Sequence, residues 1–195
     1  MDDTDVGFLD RPDITGRLPG YQLVSQLAET AMSEVFLAVD TAHANRRVVV
    51  KVVGEDLLRQ PTFRERFDRE SHIALTLHHP NVVPAYAAGE SDDGRLCYLV
   101  MRYVEGANLA RVLHERGPLS FAETLDVVRQ VAHAVDFAHQ QGLVHRDIKP
   151  ANILVERDTG HVYVCDFGIA KNLASRTVTI LGPGTPFYAA PEQLE

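Results

Sequence analysis

His145-Arg146-Asp147-Ile148-Lys149-Pro150-Ala151-Asn152 and, fourteen residues after Asn152, Asp166-Phe167-Gly168 are the stretches on which the reading of this chain turns. The first puts an Asp, a Lys two residues on and an Asn five residues on into one short loop after a helix. Those groups supply a base or orienter for a hydroxyl, a cation for a transferring phosphate and a metal ligand. Catalytic groups are often held on such loops. A polar turn with caps is the plain alternative. The carboxylate of Asp166 weighs against it, because a hard oxygen ligand directly after a strand can take Mg²⁺.

Outward from these stretches, the segment before the loop reads as one long helix over residues 120–141. Ser120 and Glu123 form a capping box, and Gly142 is the stop. Val127, Val128, Val131, Ala134, Val135 and Ala138 form its apolar stripe. Strand pieces are expected at residues 153–155 and 162–164. Toward the N-terminus the pattern is β: residues 21–24, 34–39 and 48–53, the last rich in β-branched residues. A helix follows, with Pro61 and a Thr62/Glu65 capping box at its start. Phe63, Phe67, Ala74 and Leu77 mark one face, and His78-His79-Pro80 ends it. Two more β stretches, 82–89 and 96–104, flank the turn Asp92-Asp93-Gly94. Sheet first and mostly helix afterwards is an α+β pattern in two lobes. Residues 1–19, with five aspartates and Pro12 and Pro19, read as a flexible acidic leader.

Composition limits the partners. The chain has 195 residues, 45% of them hydrophobic, and a net charge of −8. A core of useful size is within reach without disulfides. The acidic balance argues against nucleic acid, which needs a basic face. Cys97 and Cys165 are the only cysteines. They suit a reducing compartment rather than a disulfide scaffold. No apolar run is long enough to span a bilayer and no basic-then-apolar leader opens the chain, so a cytoplasmic domain is expected. The histidine pairs His133/His139 and His78/His79 lack metal-site spacing.

With these motifs assembled, the chain resembles the eukaryotic-like protein kinases, bacterial serine/threonine branch, over about residues 18–195. The resemblance implies a bilobal fold: a β-rich N-lobe with one regulatory helix and hinge over 20–104, and a partial helical C-lobe over 105–195. It implies ATP and Mg²⁺ as cofactors and a protein Ser or Thr hydroxyl as acceptor. Asp147 matches the residue that orients and deprotonates that hydroxyl, and Lys149 the one that stabilises the transferring charge. Asn152 and Asp166 match the metal ligands. Lys51 matches the lysine on the α- and β-phosphates, and Glu70 its helix partner. The valines around Lys51 suggest a strand buried on both faces, where a lysine needs a partner. Met101 resembles the residue behind the adenine pocket, Val104 a hinge contact, and Val35, Val49 and Leu154 the walls of the ring. Each of these apolar residues also reads as core. Gly184-Thr185-Pro186-Phe187-Tyr188-Ala189-Ala190-Pro191-Glu192 resembles the end of an activation segment. Thr185 with Lys149 is the serine/threonine pattern. Arg146 resembles the arginine that grips a phosphorylated loop, with Thr177 and Thr179 (and Ser175) as candidate phosphosites.

Three departures stand out. The glycine-rich loop aligns with Ala28-Glu29-Thr30-Ala31-Met32-Ser33-Glu34-Val35, and all three glycines are gone. Ala28 and Ser33 are small replacements at the phosphate side. Thr30 is β-branched at the tightest place. Val49 stands where the family usually has alanine and presses on the adenine pocket. The family's domain continues past A-P-E with several helices, so the long helix is expected to show an open apolar face. Alternatives to a kinase are a pseudokinase or truncated regulator acting as a nucleotide-binding or interaction module, with a kinase dimer or regulatory partner, and a small-molecule phosphotransferase. The activation-segment motif speaks against the last.

Overall fold

The run Val48-Val49-Val50 lies on the middle strand of a five-stranded antiparallel sheet. In this computed structural model the described residues are 9, 14–30, 33–59, 61–167 and 188. The strands are β1 (Tyr21–Glu29), β2 (Glu34–Asp40), β3 (Arg46–Val53), β4 (Ala85–Glu90) and β5 (Cys97–Arg102), ordered β1-β2-β3-β5-β4. Register decides which residues share a face, because side chains directly opposite across a ladder point the same way. Phe36, Val50 and Val100 are aligned in one row, and Ala38 lies opposite Val48. They join Leu23, Val52, Leu96 and Tyr98 in a buried core. The other face carries the rows Val35–Lys51–Leu99 and Leu37–Val49–Met101.

Helix α1 (Glu55–Leu58) precedes α2 (Pro61–Thr76). Phe63, Phe67, Glu70 and Ser71 form the buried side of α2. These spacings of four, three and one are those of a single helical face. The helix begins at Pro61, so Thr62 lies inside its first turn and is not its cap.

Two compact units are present. One comprises Met1–Thr76 and Pro84–Tyr103, the other Leu77–Val83 and Val104–Glu195. The second has its own sheet, β6 (Gly106–Asn108), β7 (Ile153–Glu156) and β8 (Val162–Val164), and two helices, α3 (Leu109–Arg116) and α4 (Phe121–Gln140). Leu109, Ile153 and Val162 form its buried centre, with Val127 and Val131 of α4 packed against them. Gly106 is required where it stands: a Cβ there would lie 2.0 Å from the Val155 carbonyl oxygen. The capping box of α4 is formed, with the Ser120 N–H donating to Glu123 Oε2 (2.8 Å) and the Glu123 N–H to Ser120 Oγ (3.3 Å).

Several expectations are corrected. The acidic leader drawn to residue 19 does not extend that far: Ile14 and Leu18 are buried in the sheet core, and the Leu9 N–H donates to the Leu23 carbonyl at 2.8 Å. Ile14 and Leu18, with Leu9 packed against the same core, dock the segment. The lobe boundary is also not a single cut, since residues 77–83 belong to the second unit. Val82, expected in a strand reaching residue 89, instead bridges Val164 in parallel. The strand starts at Ala85, after Pro84. Helix α3 was not foreseen, although Asn108 caps it by accepting from the Arg111 N–H at 2.8 Å. The open apolar face expected of α4 is present: Val128 is exposed together with Phe121 and Leu125 on the helix's outer side, and Phe121 is 84% exposed.

Candidate active site

In the second unit the loop of residues 145–152 is built around a buried imidazole. The His145 Nδ1 accepts from the Asp147 N–H (3.2 Å), so the ring proton sits on Nε2, which lies 2.9 Å from the Cys165 carbonyl. The ring packs against Phe167 with centroids 4.7 Å apart. Burial pulls the His145 pKa down, against the opposing Cys165 carbonyl and the carboxylates of Asp147 and Asp166. A neutral ring is the form that fits this pair of bonds.

Asp147 is held from two sides. Lys149 Nζ lies 3.0 Å from Asp147 Oδ2, and Asn152 Nδ2 donates to the same oxygen at 3.0 Å and to the Asp147 carbonyl at 2.8 Å. Lys149, Asp147 and Asn152 are part-buried or buried. A short 3-10 turn at Pro150–Asn152 sets the spacing. The Asn152 carbonyl accepts from the Cys165 N–H (3.0 Å) and sulfhydryl (3.4 Å). Cys165 is therefore bonded to the loop through both its N–H and its carbonyl, and Asp166 follows it directly. Arg146 and Asp166 have φ of 61° and 60°, left-handed values that non-glycine residues adopt at a cost of about 1–3 kcal/mol. Both flank the groups expected to do chemistry.

The fit of these residues to a magnesium ion follows from donor type. Asn152 turns its nitrogen toward Asp147, which leaves its amide oxygen on the other side of the group. With the Asp166 carboxylate it offers hard oxygen donors, the kind Mg²⁺ takes.

In the first unit Lys51 and Glu70 are both 8% exposed. Lys51 shares its sheet face with Val35, Val49 and Met101, and Ala28 is paired with Val35 on β1. Register thus gathers these residues on the face opposite the sheet core. Val35, Val49 and Met101 are part-buried. Val104 is buried at the start of the long second-unit segment, and Leu154 lies on β7 opposite Tyr163. Cys97 is buried on β5, and burial pushes its thiol up to about 12, so it offers no nucleophile. Thr177, Thr179 and Thr185, with Ser175, lie outside the described residues, as does the segment 184–192 apart from Tyr188.

Two residues make hydrogen bonds that the sequence reading does not anticipate. Thr30, weighed only for its bulk, makes a hydrogen-bonded turn with Ser33; the signal was the Thr-x-x-Ser spacing. Asn81 is buried and its Nδ2 donates to Gln130 Oε1 of α4 (3.0 Å) and to the Val162 carbonyl of β8 (2.8 Å). Only a polar residue between Pro80 and Val82-Val83 hinted at it.

Comparison with known proteins bears on the family and the fold. The protein kinase domain family matches residues 21–195. The chain belongs to that family. Serine/threonine-protein kinase PknB of Mycobacterium leprae (strain TN) is 43% identical over 178 residues, 89% of this chain and 28% of that protein. The crystal structure of the Mycobacterium tuberculosis PknI kinase domain superposes with a TM-score of 0.68 at 35% identity, covering 78% of this chain and 61% of that one. Rad53 1-466 in complex with AMP-PNP gives 0.73 at 25% identity, with 90% and 42% covered. The chain spans about 28% of the length of the curated relatives it matches. The relatives are bacterial serine/threonine kinases, and the α+β protein-kinase fold is shared.

Proposed function

We propose that this chain is the catalytic region of a serine/threonine protein kinase that transfers the γ-phosphoryl group of ATP to Ser or Thr hydroxyls of a protein. The observation that carries the reading is the Asp147 carboxylate, held at 3.0 Å by both Lys149 and Asn152 on a loop bonded to Cys165, next to Asp166. Asp147 orients the acceptor hydroxyl and takes its proton as the oxygen attacks the γ-phosphorus, while ADP departs with the bond's electron pair. Lys149 stabilises the charge on the transferring group. Asn152 and Asp166 hold Mg²⁺, which when bound neutralises charge on the β- and γ-phosphate oxygens. Lys51, fixed by Glu70, positions the α- and β-phosphates. Val35, Val49, Met101, Val104 and Leu154 contact adenine, and Ala28 and Ser33 lie at the phosphates.

Regulation is part of the same reading. In this reading Arg146 would take a phosphate carried by Thr177 or Thr179, and Thr185 would bridge Lys149 and Asp147. Among the described residues no helix is long and apolar enough to cross a membrane. A cytoplasmic, signalling role with a second kinase or a regulator as partner fits an ATP-dependent enzyme.

The test is transfer itself. Purified protein with ATP, Mg²⁺ and a Ser/Thr-containing protein substrate is expected to show phosphoryl transfer, and Asp147→Asn to lower kcat by about 100-fold or more. Absence of any transfer sensitive to Asp147→Asn sinks the proposal. A second reading, a nucleotide-binding module without turnover, is favoured by the glycine-free β1–β2 turn; ATP would then raise Tm with no transfer.

A further inference from the structure

Helix α2 carries Glu70, and little apolar surface fixes where along the sheet that residue stands. Between Thr62 and Glu70 the buried apolar side chains among the described residues are Phe63 and Phe67. Apolar burial is non-directional, so two phenylalanines hold a helix down without fixing its slide or rotation. Arg64, next to Phe63, makes directional bonds. Its Nη1 donates to Glu90 Oε2 at the end of β4, and its Nη2 donates to the Gly94 carbonyl at 2.8 Å. The turn that receives it is itself tied. The Gly94 N–H donates to the Ser91 carbonyl at 2.8 Å, Ser91 Oγ lies 2.6 Å from Asp93 Oδ1, and the Leu96 N–H donates to Ser91 Oγ at 2.9 Å. Arg17 pairs with Asp93 from the other side.

The anchor lies on the Lys51 side of the sheet. Glu90 stands opposite Cys97, and Cys97 opposite Val53. Two residues along the same ladders, Ala88, Leu99 and Lys51 form the next row on that face. Two strand residues span about 7 Å. The six residues from Arg64 to Glu70 rise about 9 Å along the helix. The distance from anchor row to lysine row is thus close to the distance from Arg64 to Glu70, and α2 packs against β4. We propose that Arg64 is a positioning residue for phosphoryl transfer: its two bonds to the β4–β5 turn set where α2 stands and so hold Glu70 at Lys51. This rests on the reading above in which Glu70 fixes Lys51. Arg64 and Glu90 are 39% and 35% exposed, so their ionic attraction alone contributes little. The effect is geometric. A planar guanidinium bonded at two points admits one arrangement of helix against turn, whereas a lysine ammonium serves Glu90 without the fork.

The experiment is a double-mutant cycle on the full chain, read by phosphoryl transfer from Mg·ATP to a Ser/Thr-containing protein and by amide hydrogen exchange without nucleotide. Arg64→Ala is expected to lower kcat/KM for ATP about fivefold, the equivalent of one net hydrogen bond. Arg64→Lys falls between it and the wild type. In a Glu70→Gln background Arg64→Ala costs nothing further, because residues acting through one another are not additive. In the nucleotide-free chain Arg64→Ala speeds exchange of the α2 amides around Glu70 and leaves those of α4 unchanged. Glu90→Gln alters the anchor without touching α2 and is expected to show the same non-additivity; it decides the matter where Arg64→Ala melts too low to assay. An equal fold-loss in both backgrounds, or α2 exchange that does not change, overturns the proposal while leaving the kinase reading intact. Full activity of Glu70→Gln overturns the Lys51–Glu70 reading and the proposal with it. No transfer by the wild type overturns the kinase reading as well.

Discussion

At the scale of single residues, the loop of residues 145–152 is built around an imidazole whose burial disfavours its charged form. His145 accepts from the Asp147 N–H and points its Nε2 proton at the Cys165 carbonyl. Protonation would place a second proton on Nδ1, against the Asp147 N–H. The sign of the pH effect follows from its depressed pKa. Unfolded chain takes up a proton near pH 6.5, the ordinary value, while folded chain does not. Stability from this group is therefore full above pH 6.5 and is lost as pH falls toward the lower folded value, by at most ~1.4 kcal/mol per pH unit. Nitrogen-detected NMR is expected to show His145 as the neutral Nε2–H tautomer at pH 7, with a midpoint below the ordinary 6.5. A midpoint at or above 6.5 contradicts this account. The same ring touches Phe167, so one buried side chain ties the loop of residues 145–152 to the segment carrying Asp166. Asn152 repeats that logic with its carbonyl and its amide, one facing Cys165 and the other facing Asp147.

Elements position these residues through a few polar bonds laid over apolar packing. The N-terminus of α4 is closed by Ser120 and Glu123, which between them satisfy two of the orphan N–H groups of a helix start. Ser120→Ala is expected to cost about 1 kcal/mol, a fall of about 2–4 °C in Tm for a chain of this size. At the other side of the same helix, Gln130 accepts from Asn81 and from the Val162 N–H. The 77–83 segment and β8 are thus anchored to one side chain of α4, and β8 runs directly into Cys165 and Asp166. Asn81→Ala removes the side-chain donor to the buried Val162 carbonyl, while Gln130 Oε1 keeps the Val162 N–H. The same thermal melt is expected to report a larger loss than Ser120→Ala, about 1–3 kcal/mol for a buried group left without its partner. A smaller loss than that of the exposed cap would contradict the structural role assigned to Asn81.

For the molecule as a whole, the two units are separately cored. Phe36, Val50 and Val100 centre the first, and Leu109, Ile153 and Val162 the second. The first core starts earlier than its composition suggests, because Ile14 and Leu18 lie in it and Arg17 pairs with Asp93 across the turn between β4 and β5. A chain begun at residue 9, which keeps the Leu9 bond to Leu23, is expected to keep the Tm of the full chain. One begun at residue 20 loses both side chains and melts lower. Leu18→Ala alone is expected to cost about 2–4 kcal/mol, as a buried leucine cut to alanine does. Equal melting of the two shortened chains would restore the longer leader. The kinase fold of the relatives is reached through these two cores, and the polar residues of the site hang from them.

Much of this was open to reading along the chain. Ser120 and Glu123 announce α4, the β-branched run announces β3, and the spacing of Asp147, Lys149, Asn152 and Asp166 announces the chemistry, because each signal is local and repeats with the period of its element. The burial of Lys51 and Glu70 also agrees with the reading of their surroundings. Helix α3 escaped notice because it is only eight residues long and its cap, Asn108, sits in a three-residue strand. Val128 falls with Phe121 and Leu125 on the exposed apolar face expected of α4, while Val127 and Val131 form its packed side. Sequence by itself determined the residue types, their spacing and the family resemblance built on them. Tertiary structure alone decided that Ile14 and Leu18 belong to the core, that residues 77–83 side with the second unit, that Asn152 and His145 both bond Cys165, and that Thr30 occupies the Ser33 N–H. The physical reason is common to all four. A long-range contact, or a hydrogen bond between a side chain and a distant backbone group, leaves no periodic trace in the chain, since its partner is chosen by how the elements pack.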